Sequence, residues 1–442
     1  MTNLTTPLSV QKLQTALHAK AKEAPSFRFY ALYDKVYRGD ILAFAYECCK
    51  ANGGAAGVDD QTFGDIEAYG QKRWLDELAQ ELKSRTYQPR PVRRVYIPKP
   101  DGKQRPLGIP AIRDRVAQTA AVLVLEPIFE ADLQPEQYAY RPQRSALDAV
   151  RHVHKLINTG HGQVVDADLS GYFDSIPHAE LMKSAARRIV DGAMLHLLKM
   201  WLEAPVEETD ERGNKRRSTR NRDEGRGTPQ GAPISPLLSN LYMRRFALGW
   251  KTLGHEKRLK AYIVNYADDL VICCRARAEE ALATMRAMMS KLKLTVNETK
   301  TRICKLPEER FDFLGYTFGR CYSTKAGRAY LGTVPSKKRV QRICRAISEE
   351  TGRNTTLLEA ETIAARLNRM MTGWANYFCL GPVSKAYKTI DEHAQRRLRR
   401  WLCSKHREPW PAFKRFPPAY LYEVCGLIRL PQRTADLPWK QT

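Results

Sequence analysis

Three aspartates in this sequence stand where carboxylates are costly. Asp168 closes the run "QVVDAD", and Asp268 and Asp269 sit inside "NYADDLVICC", a stretch of otherwise strand-forming apolar residues. Burying an unpaired carboxylate is expensive, so each acid needs a partner. If the two strands are neighbours in a sheet, three like charges converge at one edge, where they repel and take up protons unless a cation neutralises them. Oxygen-only ligands with open positions suit Mg²⁺, which keeps sites for water and substrate phosphates. Two such ions roughly 3.5–4 Å apart activate a hydroxyl and stabilise the leaving oxygen in phosphoryl transfer. A bare Asp-Asp at a strand turn is also a common exposed turn element. Two nearby acids fit such plain roles: Asp166 reads as structural or exposed, and Asp174 as a helix N-cap.

The charge balance points the same way. Lys and Arg number 73 against 48 Asp and Glu, a net charge of +25 over 442 residues. A surplus of this size favours a polyanionic partner, because phosphates bound by Lys and Arg release counterions. A merely solvated surface is the alternative. No apolar span is long enough for a membrane helix, and the start "MTNLTTPLSVQKLQ" has no secretory signal. Ten cysteines occur without any C-x-x-C, and Cys48-Cys49 and Cys273-Cys274 are adjacent pairs. Reduced, buried thiols are therefore expected in place of zinc sites or disulfides.

The elements that must position the acids follow from pattern. Residues 1–50 read as helical, "NGGAAGVDD" as a Gly-rich turn and "QKRWLDELAQELKS" as an amphipathic helix. "VRRVYIPKPDGKQRPLGIP" predicts a β-hairpin with a Pro-Asp-Gly-Lys turn. It carries Arg93, Arg94, Lys99, Lys103 and Arg105, opposed only by Asp101 in the turn. "QVVDADLSGYFDSI" reads as a strand running into a helix start. "EETDERGNKRRSTRNRDEGRG" reads as an exposed hairpin or loop, and "TPQGAPISPLLSNLYMRRF" as a turn feeding a long helix. "KAYIVNYADDLVICCR" predicts two strands joined tightly at Ala267-Asp268, which would present Asp268 and Asp269 at a turn. From residue 335 the chain is mostly helical and strongly basic.

"DADLSGYFD", "GTPQGAPISPLLSNLYM", "YADD", "LTVNETKT" and "FDFLGYTF", in that order, resemble the motif set of reverse transcriptases. Upstream, "VRRVYIPKPDGKQRPLGIPAIRDRVAQ" and "YAYRPQRSALDAV" resemble the fingers motifs of the bacterial group II intron type. Downstream, "RLNRMMTGWANYF" is similar to the maturase-specific region of the same family, so the resemblance spans about residues 50–430. It implies an α+β right-hand polymerase with an antiparallel palm sheet, followed by a helical thumb/maturase domain. The expected division is 1–60 for an N-terminal helical extension of the fingers, 61–160 for the fingers, 161–325 for the palm and 326–442 for the thumb/maturase domain.

The resemblance also assigns roles. Asp168, Asp268 and Asp269 would be the catalytic metal ligands for two Mg²⁺ ions, with Mn²⁺ able to substitute. Phe173 would lie under the incoming sugar and select dNTPs by clashing with a 2′-hydroxyl. Lys99 and Arg105 would bind the triphosphate. Gln230 and Gly231 would approach the nucleotide and the templating base, and Gly231 permits close backbone approach. Lys300 would sit near the leaving pyrophosphate as a candidate general acid. Phe313, Leu314 and Gly315 would grip the primer end. Arg93, Arg94 and Arg141, with Arg396, Arg397, Arg399 and Arg400 of the basic C-terminal helix, would contact nucleic acid. Trp374 and Trp401 read as core.

The activity implied is RNA-directed DNA polymerisation with a maturase role in splicing and mobility of a group II intron. The implied partners are a structured intron RNA or an RNA template with a DNA primer, dNTPs and target DNA. The implied location is a prokaryotic cytoplasm, with the nucleoid when acting on DNA. Many relatives add an HNH-type endonuclease region that is not seen here, so no target-strand nicking is expected. Alternatives are an intron-independent reverse transcriptase of antiphage, CRISPR or repair type, and an RNA-binding splicing cofactor that does not polymerise. The intact acid trio, with Phe173 and Gln230, favours the enzyme.

Overall fold

The computed structural model describes residues 4–98, 102, 104–210, 212–323 and 327–434. Among them run eleven strands: β1 (Val92–Pro98), β2 (Gln104–Ile109), β3 (Gln163–Asp168), β4 (Val206–Thr209), β5 (Lys215–Ser218), β6 (Ala261–Tyr266), β7 (Asp269–Cys274), β8 (Arg302–Lys305), β9 (Phe311–Phe313), β10 (Tyr316–Ser323) and β11 (Arg328–Pro335). They form three sheets, ordered β2-β1-β4-β5, β6-β7-β3-β8 and β11-β10-β9. No helix among the described residues is long and apolar enough to cross a membrane. The ten cysteines are free thiols.

The chain divides into two compact units. The first comprises Met1–Ser145, Ala167–Leu270 and Glu279–Thr301. At its centre is the helix Ile112–Glu130, which buries Val116, Ala117, Ala120, Ala121, Val124, Leu125, Ile128 and Phe129. A helix apolar on nearly every side belongs inside a core, and helices Leu8–Glu23 and Gly39–Asn52 pack on this one. Thr62 and Asp65 form a reciprocal capping box that starts the helix Phe63–Tyr69. In the next helix, Gln71–Lys83, the buried residues Trp74, Leu75, Leu78 and Leu82 recur at helical spacing. Each such burial contributes about 1.5–3 kcal/mol. The helix Ser235–Thr252 carries Pro236 in its first turn, where a missing N–H costs nothing.

The basic hairpin forms as expected, with β1 antiparallel to β2 and Ile97 opposite Arg105. One arrangement has no counterpart in local sequence. The arginine-rich stretch after residue 205 contains a second hairpin, β4-β5, and β4 pairs in parallel with β1 through Val92 and Val206. The edge strand β5, "KRRS", is exposed at every position. Charged side chains of this kind keep a free sheet edge from recruiting another strand.

The second unit comprises Ala146–Asp166, Val271–Ala278 and Arg302–Thr442. Its helices Lys337–Glu350, Ala360–Tyr377 and Ser384–His406 enclose Ile343, Ile347, Leu367, Met371, Tyr387, Ile390, Leu398, Trp401 and Leu402. Trp401 is buried and donates to Thr355 Oγ1 at 3.0 Å, and Trp374 packs against the same core.

Candidate active site

Within the first unit a tight turn and a pinned strand end bring the acids to one cavity. Asp268 and Asp269 follow Ala267, a non-glycine residue at φ 56°. That conformation is strained and persists only where the surroundings fix it. The fixing group is Asn265, fully buried, whose side-chain amide donates to Ala267 O at 2.9 Å. Asp168, at the end of β3, is held by the segment 294–301. Asn297 Nδ2 and Lys300 Nζ each donate to Asp168 Oδ2 at 2.9 Å, and Asn297 N donates to Asp168 O at 2.8 Å. The hydrogen bond to Asp168 raises the Lys300 pKa against its desolvation, and the charges of Asp168, Asp268 and Asp269 push the same way. One ammonium thus feels all three carboxylates.

Phe173, in the short helix Tyr172–Ser175, lines the same cavity. Its ring meets Tyr140 edge-on, with centroids 6.4 Å apart. The turn before Pro229 is laced to this helix: Thr228 N donates to Phe173 O at 2.8 Å and Gly227 N to Ile176 O at 2.9 Å. Gln230 Nε2 donates to Asp174 Oδ2 at 3.0 Å. Gly108 N of β2 donates to Gln230 O at 2.6 Å. Gly231 sits at φ +108°, and a Cβ there would lie 2.5 Å from Gly108 O, so only glycine fits without a shift. A cavity of about 1190 Å³ is lined by Arg105, Arg115, Asp168, Phe173, Gln230, Gly231, Asp268, Asp269, Asn297 and Lys300, among others.

Among the described residues no three His, Cys, Asp or Glu side chains are gathered closely enough to hold a metal ion as they stand. The donor chemistry nevertheless suits a hard cation, since three carboxylates on one cavity offer oxygen ligands only. The Lys300 ammonium already answers one of them.

The remaining expected site residues are placed as follows. Lys99, with Asp101 and Lys103, lies outside the described residues. Arg93 pairs with Asp60 at 3.1 Å, and Arg94 lies 3.8 Å from Glu208. Phe313 is buried in β9, while Leu314 and Gly315 take positive φ, 50° and 84°. A Cβ on Gly315 would crowd Arg339 and Phe378 at 3.0–3.2 Å. Arg396 and Arg400 are exposed. Arg397 donates to Thr351 Oγ1 at 3.0 Å and to Ser348 O at 2.8 Å.

Three expectations need correction. Arg141 is buried, forks onto Glu130 and donates to Gln134 O and Gln137 O at 2.7 Å, so its guanidinium is spent inside the protein. Arg399 is buried too and donates to Phe416 O at 2.9 Å. Asp174 is no N-cap: Gly171 holds that position, and Asp174 receives the Gln230 amide. Asp166, 3.7 Å from Arg302, has the structural place expected of it. Sequence reasoning missed Asn265 and Asn297. The asparagine just ahead of a strained turn was the one available signal for Asn265.

Comparison with known proteins agrees with this geometry. Residues 97–318 match the family described as "Reverse transcriptase (RNA-dependent DNA polymerase)", and residues 340–416 match "Group II intron, maturase-specific domain". This chain belongs to the group II intron reverse transcriptases. It is 34% identical to Protein YkfC of Escherichia coli K12 over 74% of this chain and 93% of that one. It is 35% identical to the group II intron-encoded protein LtrA of Lactococcus lactis over 49% of this chain, and the match spans only 34% of LtrA. A solved chain from a "Partial Cas6-RT-Cas1--Cas2 complex" shares 20% identity over 59% of this chain and 42% of that one, with a TM-score of 0.34 that adds nothing to the assignment. The reverse transcriptase is thus an α+β protein in which an RNA-dependent DNA polymerase domain precedes a helical maturase domain.

Proposed function

We propose that the cavity of the first unit extends a DNA primer on an RNA template. The 3′-oxygen of the primer attacks the α-phosphorus of a dNTP, a new phosphodiester forms, and pyrophosphate leaves. Two Mg²⁺ ions, or Mn²⁺ in their place, would be held by Asp168, Asp268 and Asp269 and would supply charge neutralisation and activation of the attacking hydroxyl. Arg105, exposed on the cavity, neutralises the triphosphate, and Lys99 on the same hairpin is assigned the same part. Phe173 bars a 2′-hydroxyl. The backbone at Gln230 and Gly231 approaches the base pair, and Lys300 supplies a proton to the leaving pyrophosphate oxygen. The observation that carries this reading is the action of three carboxylates on Lys300 in a cavity that also holds Phe173 and Gln230.

The maturase part is assigned to a structured intron RNA, supported by the 340–416 match and by the similarity to LtrA, a group II intron-encoded protein. The role includes splicing and mobility into target DNA, in a prokaryotic cytoplasm. Phe313, Leu314 and Gly315 are assigned to the primer end, and Arg93, Arg94, Arg396, Arg397 and Arg400 to nucleic acid. The test is primer extension on an RNA template with a DNA primer, dNTPs and Mg²⁺, comparing wild type with Asp268→Ala. Extension by wild type alone is expected. A folded wild type that binds RNA tightly without extending a primer would replace this reading with a splicing cofactor.

A further inference from the structure

A small recess in the second unit, remote in sequence from the acids, is lined by Thr351, Gly352, Arg353, Arg397, Arg400, Trp401 and Ser404, with a volume of about 180 Å³. Three arginines and no carboxylate face it. Glu350, the acid next in sequence, is turned to Arg366, whose Nη1 donates to it at 2.8 Å. Arg397 is fixed in the wall by donating to Thr351 Oγ1 at 3.0 Å, Ser348 O at 2.8 Å and Thr351 O at 3.0 Å. Arg353 and Arg400 are exposed and have no side-chain partner among the described residues. Burial and the charges of Arg400 and Arg396 lower the Arg397 pKa, which reports like charges crowded together. Such a cluster is stabilised by an anion.

We propose that this recess binds one backbone phosphate of an RNA strand. The identification deepens the maturase reading given above and rests on it. Guanidinium forks match phosphate oxygens in pairs, and Arg397 is preorganised by its anchored side. The contact is to phosphate and not to a stacked base: three guanidinium groups line the recess, and the Trp401 ring is buried and bonded to Thr355, which leaves no face for stacking. Arg353 joins the two helix arginines here although it lies more than forty positions before them. Arg399, between them in sequence, turns inward.

The experiment measures binding of the full chain to a fluorescein-labelled 20-mer oligouridylate across a salt series. Arg353→Gln is the main variant, because Arg353 is exposed and carries no side-chain bond. Arg369→Gln, at an exposed arginine of the same unit outside the recess, is the comparison. Arg353→Gln is expected to weaken binding several-fold, to lower the slope of log K against log salt by about 0.7, and to act equally on oligocytidylate. Wild-type melting temperature is expected for both variants. Loss no greater than for Arg369→Gln, an unchanged slope, or an effect on one base composition only would overturn the proposal. So would a loss confined to a DNA 20-mer of the same base composition. Failure of wild type to bind RNA would instead strike the maturase reading, and primer extension reads the polymerase separately.

Discussion

Asp174 accepts a hydrogen bond, 3.0 Å long, from the side-chain amide of Gln230. Through the Gln230 carbonyl, which accepts from Gly108 at 2.6 Å, the same residue is tied to β2 of the basic hairpin. Gln230 is therefore a junction between the helix that carries Phe173 and the strand that carries Arg105. On the proposed reading, Asp174 positions Gln230 against the incoming nucleotide. Asp174→Ala is expected to cost about 1.5–3 kcal/mol at this junction, as for a hydrogen bond to a charged group. The loss should fall mainly on KM for the incoming nucleotide, roughly 10- to 100-fold, with Asp174→Asn recovering part of it. Steady-state primer extension over a dNTP series reads the split. An equal fall in kcat alone would contradict a positioning role.

Phe173 is half-buried, braced edge-on by Tyr140, and lines the cavity beside Asp174. On the proposed placement of the nucleotide, replacing it with Val or Ala opens space under the sugar. Single-nucleotide incorporation should show discrimination between dNTP and NTP falling on the order of 10–200-fold, the range for steric selection in a pocket. Unchanged discrimination would place the ribose elsewhere.

Arg141 and Glu130 form a nearly buried ion pair with two further carbonyl acceptors on the guanidinium. Arg141→Ala leaves Glu130 without its partner and should destabilise the fold by about 3–5 kcal/mol. Chemical denaturation measures this. Once folded at low temperature, the variant should bind RNA as wild type does, because the guanidinium faces inward.

Asp114 is buried, receives Tyr87 Oη at 2.6 Å and Arg90 N at 3.0 Å, and has its pKa raised by burial from 3.8 to about 6. The folded state therefore holds the proton more tightly than the unfolded chain. That contribution to stability is present below the unfolded pKa and is lost as pH rises through about 6. Across the whole window it amounts to about 3 kcal/mol, of which about 1 falls between pH 5 and pH 7. The stability difference between wild type and Asp114→Asn should shrink by that amount over pH 5–7 in urea titrations. A flat difference would show that Asp114 titrates alike in both states.

What could be read from sequence was local. Alternation and a Pro-Asp-Gly-Lys turn marked β1 and β2, apolar runs marked β6 and β7, and the Ala267-Asp268 turn sits where those two runs meet. Helical periodicity marked the Trp401 side as core. The parallel pairing of β4 with β1 was not legible, because Val92 and Val206 meet across more than a hundred residues with no periodic signal in between. Arg141 and Arg399 looked like their exposed neighbours because charge says nothing of direction, and only the carbonyls of Gln134, Gln137 and Phe416 decide it. Asp174 resembled an N-cap by type, but the positive φ of Gly171 took that place.

Asp168 and Lys300 are bonded across 132 positions of chain. At about 5–20 residues per second, the ribosome emits the first of them roughly 7–26 s before the second. Only from Asp269 onward does the nascent chain own all three acids, and until Asn297 and Lys300 follow it has neither of the side chains that bond the Asp168 carboxylate. A polypeptide broken off between Asp269 and Asn297 would therefore carry more than half of the chain and all three acids, with the Asp168 carboxylate left without these two partners.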